Sequence, residues 1–192
     1  MKKSEKEKEV QYYTKERWDN WIQTVKESNF QINDEYGSNT EIFVNMMDDV
    51  ILPCLKVVSE YDKKKIASDD ALRAISSISE IVLCDAAAIN EDIDMMIQSL
   101  QSSLLCALVS CECHIRGEYD TNMPLLNLIR NAIDIEEKNP EQALEYISTV
   151  GARILSGESM PDILFDVPDG LVAEWLDGVD SIVAALTLSR DG

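Results

Sequence analysis

At 192 residues and 45% hydrophobic content, the chain is long enough for one domain with a real core, which excludes global disorder. Seven glycines and five prolines exclude collagen-like or low-complexity character. Thirty-six acidic residues stand against 17 basic ones, and a net charge of −19 excludes general attraction to nucleic acid or to an anionic membrane.

The charge is unevenly spread. Residues 1–65 hold 11 bases and 13 acids, net −2, so residues 66–192 hold 6 and 23, net −17. Such a body suits a basic protein surface, or a salty cytoplasm in which acids keep the protein dissolved. The start, MKKSEKEKEV, lacks the apolar stretch of a secretory signal, and the five cysteines are odd in number. Both features fit a cytoplasmic protein with free thiols. No uninterrupted apolar run reaches the roughly 18 residues of a membrane span, so no insertion is expected.

Residues 1–12 are expected to be a charged, disordered tail, residues 13–188 a helical domain, and residues 189–192 a frayed end. Thr14 caps a first helix to about Ser28, with Trp18, Trp21, Ile22 and Val25 on one face. NDEYGSN (Asn33–Asn39) reads as a loop around Gly37. Asn39 or Thr40 caps a second helix to about Asp62, with a stripe of Phe43, Met46, Met47, Val50, Cys54, Val58 and Tyr61. Pro53 removes one backbone donor inside it, so a kink is expected there. Lys63, Lys64 and Lys65 complement the dipole at its end.

Ser68 or Asp69 caps a third helix to about Ala88, carried by Leu72, Ile75, Ile78, Val82 and Ala86. Asn90 caps a fourth, which Gly117 stops after Arg116. Between Leu100 and Cys113 it is apolar nearly all round, as the middle of a bundle requires. A fifth helix spans about Met123 or Pro124 to Glu137, with Leu125, Ile129, Ala132 and Ile133 inward. Asn139-Pro140 opens a sixth, ended by Gly157, with Leu144, Ile147, Val150, Ile154 and Leu155 inward. Pro168 opens a seventh with Leu171, Trp175, Val179, Ile182 and Leu186. The fold class predicted is all-α: a single-domain bundle of six or seven mostly antiparallel helices.

Asp69–Leu83 (DDALRAISSISEIVL) and Glu141–Leu155 (EQALEYISTVGARIL) share five of fifteen positions at an offset of 72. SLLCAL from Ser103 is echoed by SIVAAL from Ser181. These strings suggest a tandem duplication, in which residues 39–116 superpose on 121–187 as three-helix units. The competing explanation is that amphipathic helices draw on few apolar types.

Cys106, Cys111, Cys113 and the sole histidine, His114, are the candidate metal ligands, all within nine positions. At about 100° per residue, Cys106 and Cys113 share a face two turns apart, while His114 and Cys111 point elsewhere. One metal would need ligands from another helix, such as Cys54 or Cys84, and zinc-knuckle spacing is absent. The favoured reading is that these thiols are core residues, with no metal and no cofactor. One histidine leaves few general bases, and no phosphate loop, dinucleotide fingerprint or nucleophile elbow occurs. Met160–Val167 (MPDILFDV) places apolar residues in a non-helical link, where backbone solvation usually keeps composition polar. The favoured reading is that this link covers the bundle, with Trp175 packed in the core; the alternative is an interaction strip of Asp162, Phe165 and Asp166 beside Trp175 on the next helix.

YTKERWDNWI (Tyr13–Ile22), MDDV (Met47–Val50), EIVL (Glu80–Leu83), QSSL (Gln101–Leu104) and GLVAEWLDGVDSIVAAL (Gly170–Leu186) carry a resemblance. They resemble an archaeal family of small acidic proteins of unknown function, with members in methane-forming and salt-loving archaea. The resemblance implies an archaeal cytoplasmic protein whose acidity is partly a solubility adaptation. It implies no activity, and CECH (Cys111–His114) lies outside the family pattern.

The function expected is a non-enzymatic adaptor or regulatory subunit docking on a larger cytoplasmic complex, by way of a protein partner with a basic surface. The alternative is a redox- or oxygen-responsive regulator using the Cys and His residues of the fourth helix. Third is an enzyme with an unrecognised site. Self-association is left open.

Overall fold

The computed structural model describes residues 11–28, 30–32, 40–163 and 167–190. Its helices are α1 (Lys15–Glu27), α2 (Glu41–Asp62), α3 (Ser68–Val82), α4 (Glu91–Arg116), α5 (Leu125–Ile135), α6 (Pro140–Leu155) and α7 (Leu171–Arg190). No strand occurs among the described residues. The helix α4 packs against α2, α3, α6 and α7, and α6 also packs against α5 and α7.

Local chemistry sets several helix ends. Thr14 Oγ1 accepts the Arg17 amide at 3.2 Å, Asn90 Oδ1 that of Ile93 at 2.9 Å, and Asn139 Oδ1 that of Gln142 at 3.1 Å. Gly117 and Gly157 stop their helices at φ +69° and +104°, the left-handed region where a Cβ is costly. Within α2, Pro53 is buried and the helix continues through it.

Three boundaries differ from expectation, two of them through long-range bonds. α3 ends at Val82, not near Ala88. The side-chain amide of Gln101 donates to the carbonyls of Val82 and Cys84, at 2.8 and 2.9 Å, which a continuing helix would have used itself. Ala86 is therefore past the helix and exposed. α7 begins at Leu171 because the Glu136 carboxylate accepts the Val172 amide at 2.9 Å. A Cβ on Gly170 would fall 2.8 Å from that carboxylate. Leu171, expected on the inner stripe, is exposed in the first turn. At its far end α7 runs to Arg190, past the expected limit at 188.

The packed body also starts before Tyr13. Tyr12 donates to Glu60 at 2.5 Å, and Tyr13 donates to Asp49 at 3.1 Å. Arg17 pairs with the same Asp49 and stacks 5.3 Å over the Tyr13 ring, so the entry to α1 is fastened onto α2. Trp18 and Val25 are buried beneath this fastening, while Trp21 and Ile22 are half-buried.

By length and composition α4 is the one helix among the described residues that is apolar enough to cross a membrane. Serines interrupt its apolar run, so no unbroken span stands out in the sequence. Here it is enclosed by four helices.

The internal echo is preserved at one level only. Ala71, Ile75, Ile78 and Val82 of α3 are buried, and so are Ala143, Ile147, Val150 and Ile154 at the same offset in α6. The flanking helices do not correspond. α2 has 22 residues and packs on both followers, whereas α5 has 11 and meets α7 only marginally. The likeness is confined to one helix pair.

Two glycines allow α4 its close neighbours. A Cβ on Gly178 would lie 2.2 Å from the Ser103 carbonyl oxygen, and one on Gly151 would lie 2.2 Å from Ser110 Oγ. Gly178→Ala therefore meets backbone, and Gly151→Ala meets a side chain. Each is expected to cost about 1–3 kcal/mol in denaturant unfolding. Ser110→Gly should recover part of the Gly151→Ala loss, whereas Ser103→Gly should recover none of the Gly178→Ala loss.

Candidate functional site

The thiols are dispersed. Cys54 on α2 and Cys106 and Cys111 on α4 are buried in the core. Burial pushes the Cys54 thiol up to about 12 and holds Cys106 and Cys111 far above the usual thiol range. Cys113 is half-buried, its Sγ 4.0 Å from Ser148 Oγ; desolvation raises it, against smaller lowering by Ser148 and Arg116. Cys84 is half-buried after α3 and donates to the Ile81 carbonyl at 3.0 Å. Among the described residues no three Cys, His, Asp or Glu side chains are placed to hold a metal ion. The window from Cys106 to His114 is thus not gathered into one site.

His114 instead turns away from the cysteines, to a polar cluster at the ends of three helices. Its Nε2 lies 2.9 Å from Asp62 Oδ1, in the last turn of α2, and its Nδ1 lies 3.0 Å from Ser156 Oγ, at the end of α6. Tyr119 Oη lies 2.6 Å from the same Ser156 Oγ. The Tyr61 ring meets the imidazole edge-on at 6.4 Å. Asp62 is an acceptor as carboxylate, so Nε2 carries hydrogen in the neutral ring. The Ser156 hydroxyl, with one hydrogen to give, lies 3.0 Å from both Nδ1 and the Ala152 carbonyl; given to Nδ1, that hydrogen leaves Tyr119 to donate to Ser156 Oγ. The order is an Asp–His–Ser relay extended by a phenol.

The amides that follow the end of α6 are used within the helix stop. Ser156, Gly157 and Glu158 donate their amides to the carbonyls of Ala152, Ile154 and Arg153 at 3.1, 2.9 and 3.0 Å. Arg153 nearby is buried, gripped by Glu158 at 2.7 and 2.8 Å and bonded to the Met123 carbonyl at 2.5 Å. That fork holds the Glu158 carboxyl below its usual range.

Beside Asp62 lies a cleft of about 610 Å³, between Tyr61 and Asp62 on one side and Lys64 to Ser68 on the other. Lys64 sits there at φ +56°, the one non-glycine residue described in the left-handed region. The Lys64 amide donates to the Tyr61 carbonyl and the Lys65 amide to that of Glu60, both at 2.8 Å, the bonds of a helix stop that glycine usually supplies.

Of the expected interaction strip, Phe165 and Asp166 lie outside the described residues. Asp162 is exposed, while Met160, Ile163 and Val167 rest half-buried on the core. Trp175 is not an exposed anchor. It is 3% exposed, and its Nε1 has no hydrogen-bond partner among the described residues, so its work is packing. One turn of α7 sets a large apolar ring inward and leaves its polar neighbours outside. Glu174, Asp177 and Asp180 follow one another at three-residue spacing on α7. Burial first, then Asp180 and Glu174, raises the Asp177 carboxyl, and burial raises Asp180. None of the three has a basic partner among the described residues.

Sequence reasoning singled out His114 but not Asp62, Tyr119 or Ser156, since the carboxylate and hydroxyl stand 52 and 42 positions away. The usable signal was indirect: each helix contributing to the cluster closes on a stop, at Lys64, Gly117 and Gly157.

In native protein at mildly alkaline pH, a maleimide should label Cys84 and then, more slowly, Cys113. Cys54, Cys106 and Cys111 should stay unlabelled until denaturant is added, as mass spectrometry of the digest will read. Lys64→Gly should raise stability by about 0.5–1 kcal/mol in denaturant unfolding, because glycine takes the left-handed conformation without strain.

Among curated proteins and solved structures none matches the chain. A family model described as an uncharacterized protein conserved in archaea (DUF2150) matches residues 11–191. The match spans every described helix, and the chain belongs to this archaeal family.

Proposed function

We propose that the protein is an interaction subunit that docks, in the cytoplasm, on a basic surface of a larger protein complex. The observation that carries this reading is the row Glu174, Asp177 and Asp180 on α7. Burial raises two of these carboxyls, Asp177 and Asp180, and no cation among the described residues balances any of the three. Keeping such a row charged has a cost that a partner's lysines or arginines would relieve. The net −17 of residues 66–192 adds a field that steers encounter with the same kind of surface. Asp162, on the link before α7, is a further exposed acid. The reading requires no cofactor.

The thiol-regulator reading has weaker support. A reactive cysteine needs its thiolate, and burial raises the thiols of Cys54, Cys106, Cys111 and Cys113.

The test compares wild type with the Glu174→Gln, Asp177→Asn, Asp180→Asn triple variant, both used to capture partners from native archaeal extract. Three exposed pairs at roughly 0.2–1 kcal/mol each predict a loss of about 3- to 150-fold in capture, larger at low salt. Circular dichroism should be unchanged, because the three side chains hold no other helix in place. Equal retention of a partner by both proteins, or specific capture by neither, overturns the proposal.

A further inference from the structure

The relay at His114 plays no part in docking through α7, and its chemistry stands independently of that role. Its three groups come from three helices and meet at hydrogen-bond distance: Asp62 to Nε2 at 2.9 Å, and Nδ1 to Ser156 Oγ at 3.0 Å. The group that can reach a ligand is the open one. Ser156 is exposed, whereas the His114 side chain is only 10% exposed beneath it. A shielded base, oriented by a carboxylate and bonded to an accessible hydroxyl, is the arrangement that activates a serine oxygen.

We infer that Ser156 is a hydroxyl nucleophile, with His114 as its general base and Asp62 as the positioning residue, acting on activated acyl esters. Ser156 Oγ forms a bond to the acyl carbon while its proton passes to His114 Nδ1. The bond from that carbon to the leaving oxygen breaks, and the leaving oxygen takes the proton from His114. Water then attacks the acyl-serine, His114 accepting and returning the proton, and the free acid departs with the serine restored.

The surroundings narrow the substrate. The amides of Ser156, Gly157 and Glu158 are spent inside the helix stop and give nothing to a developing oxyanion. The phenol of Tyr119, 2.6 Å from Ser156 Oγ, is the donor within reach. With one donor and the carbonyl end of α6 nearby, only substrates with a good leaving group can react at a useful rate.

A fluorophosphonate probe tests this without knowledge of the natural ester. Ser156 Oγ bonds to phosphorus, the P–F bond breaks, and the serine proton leaves through His114 as fluoride departs. Labelling is located by peptide mass spectrometry and timed against Ser76, an exposed serine on α3. The expected result is selective labelling of Ser156, slowed about 100-fold or more in His114→Gln. Asp62→Asn should slow it about 10-fold, and Asp62→Glu, which keeps a carboxylate beside Nε2, should recover part of that loss. If His114→Gln does not fold, the two Asp62 variants decide alone. Labelling of Ser156 no faster than Ser76, or at a rate neither variant changes, overturns the inference and leaves the cluster as a tie between helix ends.

Discussion

The backbone of α4 is approached more closely than side chains of ordinary size allow, and the packing depends on that approach. Gly178 sets α7 against the Ser103 carbonyl, and Gly151 sets α6 against Ser110. The two serines are buried without penalty because each hydroxyl turns back to its own helix, Ser103 to the Ser99 carbonyl at 3.1 Å and Ser110 to that of Cys106 at 2.7 Å. They act as small groups on a packing face. Removing a buried hydroxyl contact here matters less than adding a methyl group, because the interior has no slack at these crossings. His114 stands one turn beyond Ser110, so the same seam that joins α4 to α6 sets where the imidazole meets Ser156.

Electrostatics divides the molecule differently from packing. Several of its few cations are spent internally: Arg17 on Asp49, Arg73 on Asp70 and Arg153 in its buried fork with Glu158. Lys63, Lys64 and Lys65 stand where α2 ends and its carbonyls concentrate negative charge. The carboxylate row of α7 receives no cation from the described residues, so Asp177 feels the repulsion of Asp180 and Glu174 unrelieved. A chain with 17 bases and 36 acids must leave some acids unpaired, and here they include a partly desolvated row on one helix.

Helix identity and several caps were legible in the sequence because both are local, though α3 starts at Ser68 after an uncapped Ala67 where Ser68 or Asp69 was expected to cap. Thr14, Asn90 and Asn139 cap what they were expected to cap, and Gly117 and Gly157 stop what they were expected to stop. The end of α3 was not legible, since the alanines after Cys84 favour helix and only Gln101, from another helix, competes for its carbonyls. The start of α7 was hidden for the same reason, being fixed by Glu136. Trp175 could be read from the sequence as packing or as an anchor, because a stripe shows which side of a helix is apolar but not that the side is closed over; its burial decides for packing. The cluster at His114 was the least legible element. Asp62, Tyr119 and Ser156 are unremarkable singly, and only the packing of α2, α4 and α6 brings them together.

That cluster can hold helix ends together and still pass a proton, because its hydrogen bonds can be redrawn without loss. With a neutral ring, the Ser156 hydroxyl donates to Nδ1 and accepts from Tyr119. When the ring takes the proton, Nδ1 becomes a donor to Ser156 Oγ, and the hydroxyl turns to the Ala152 carbonyl, already 3.0 Å away. Nε2 donates to Asp62 in both states, and the charged ring adds Coulomb attraction to that bond. No polar group is orphaned by the change, so protonation of the ring need not loosen the three helix ends. Without the Ala152 carbonyl, uptake of a proton by the ring would leave the imidazolium and the serine hydroxyl as two donors facing each other. The turn of α6 that ends in Gly157 therefore supplies both the serine and the acceptor its hydroxyl turns to when the ring is charged.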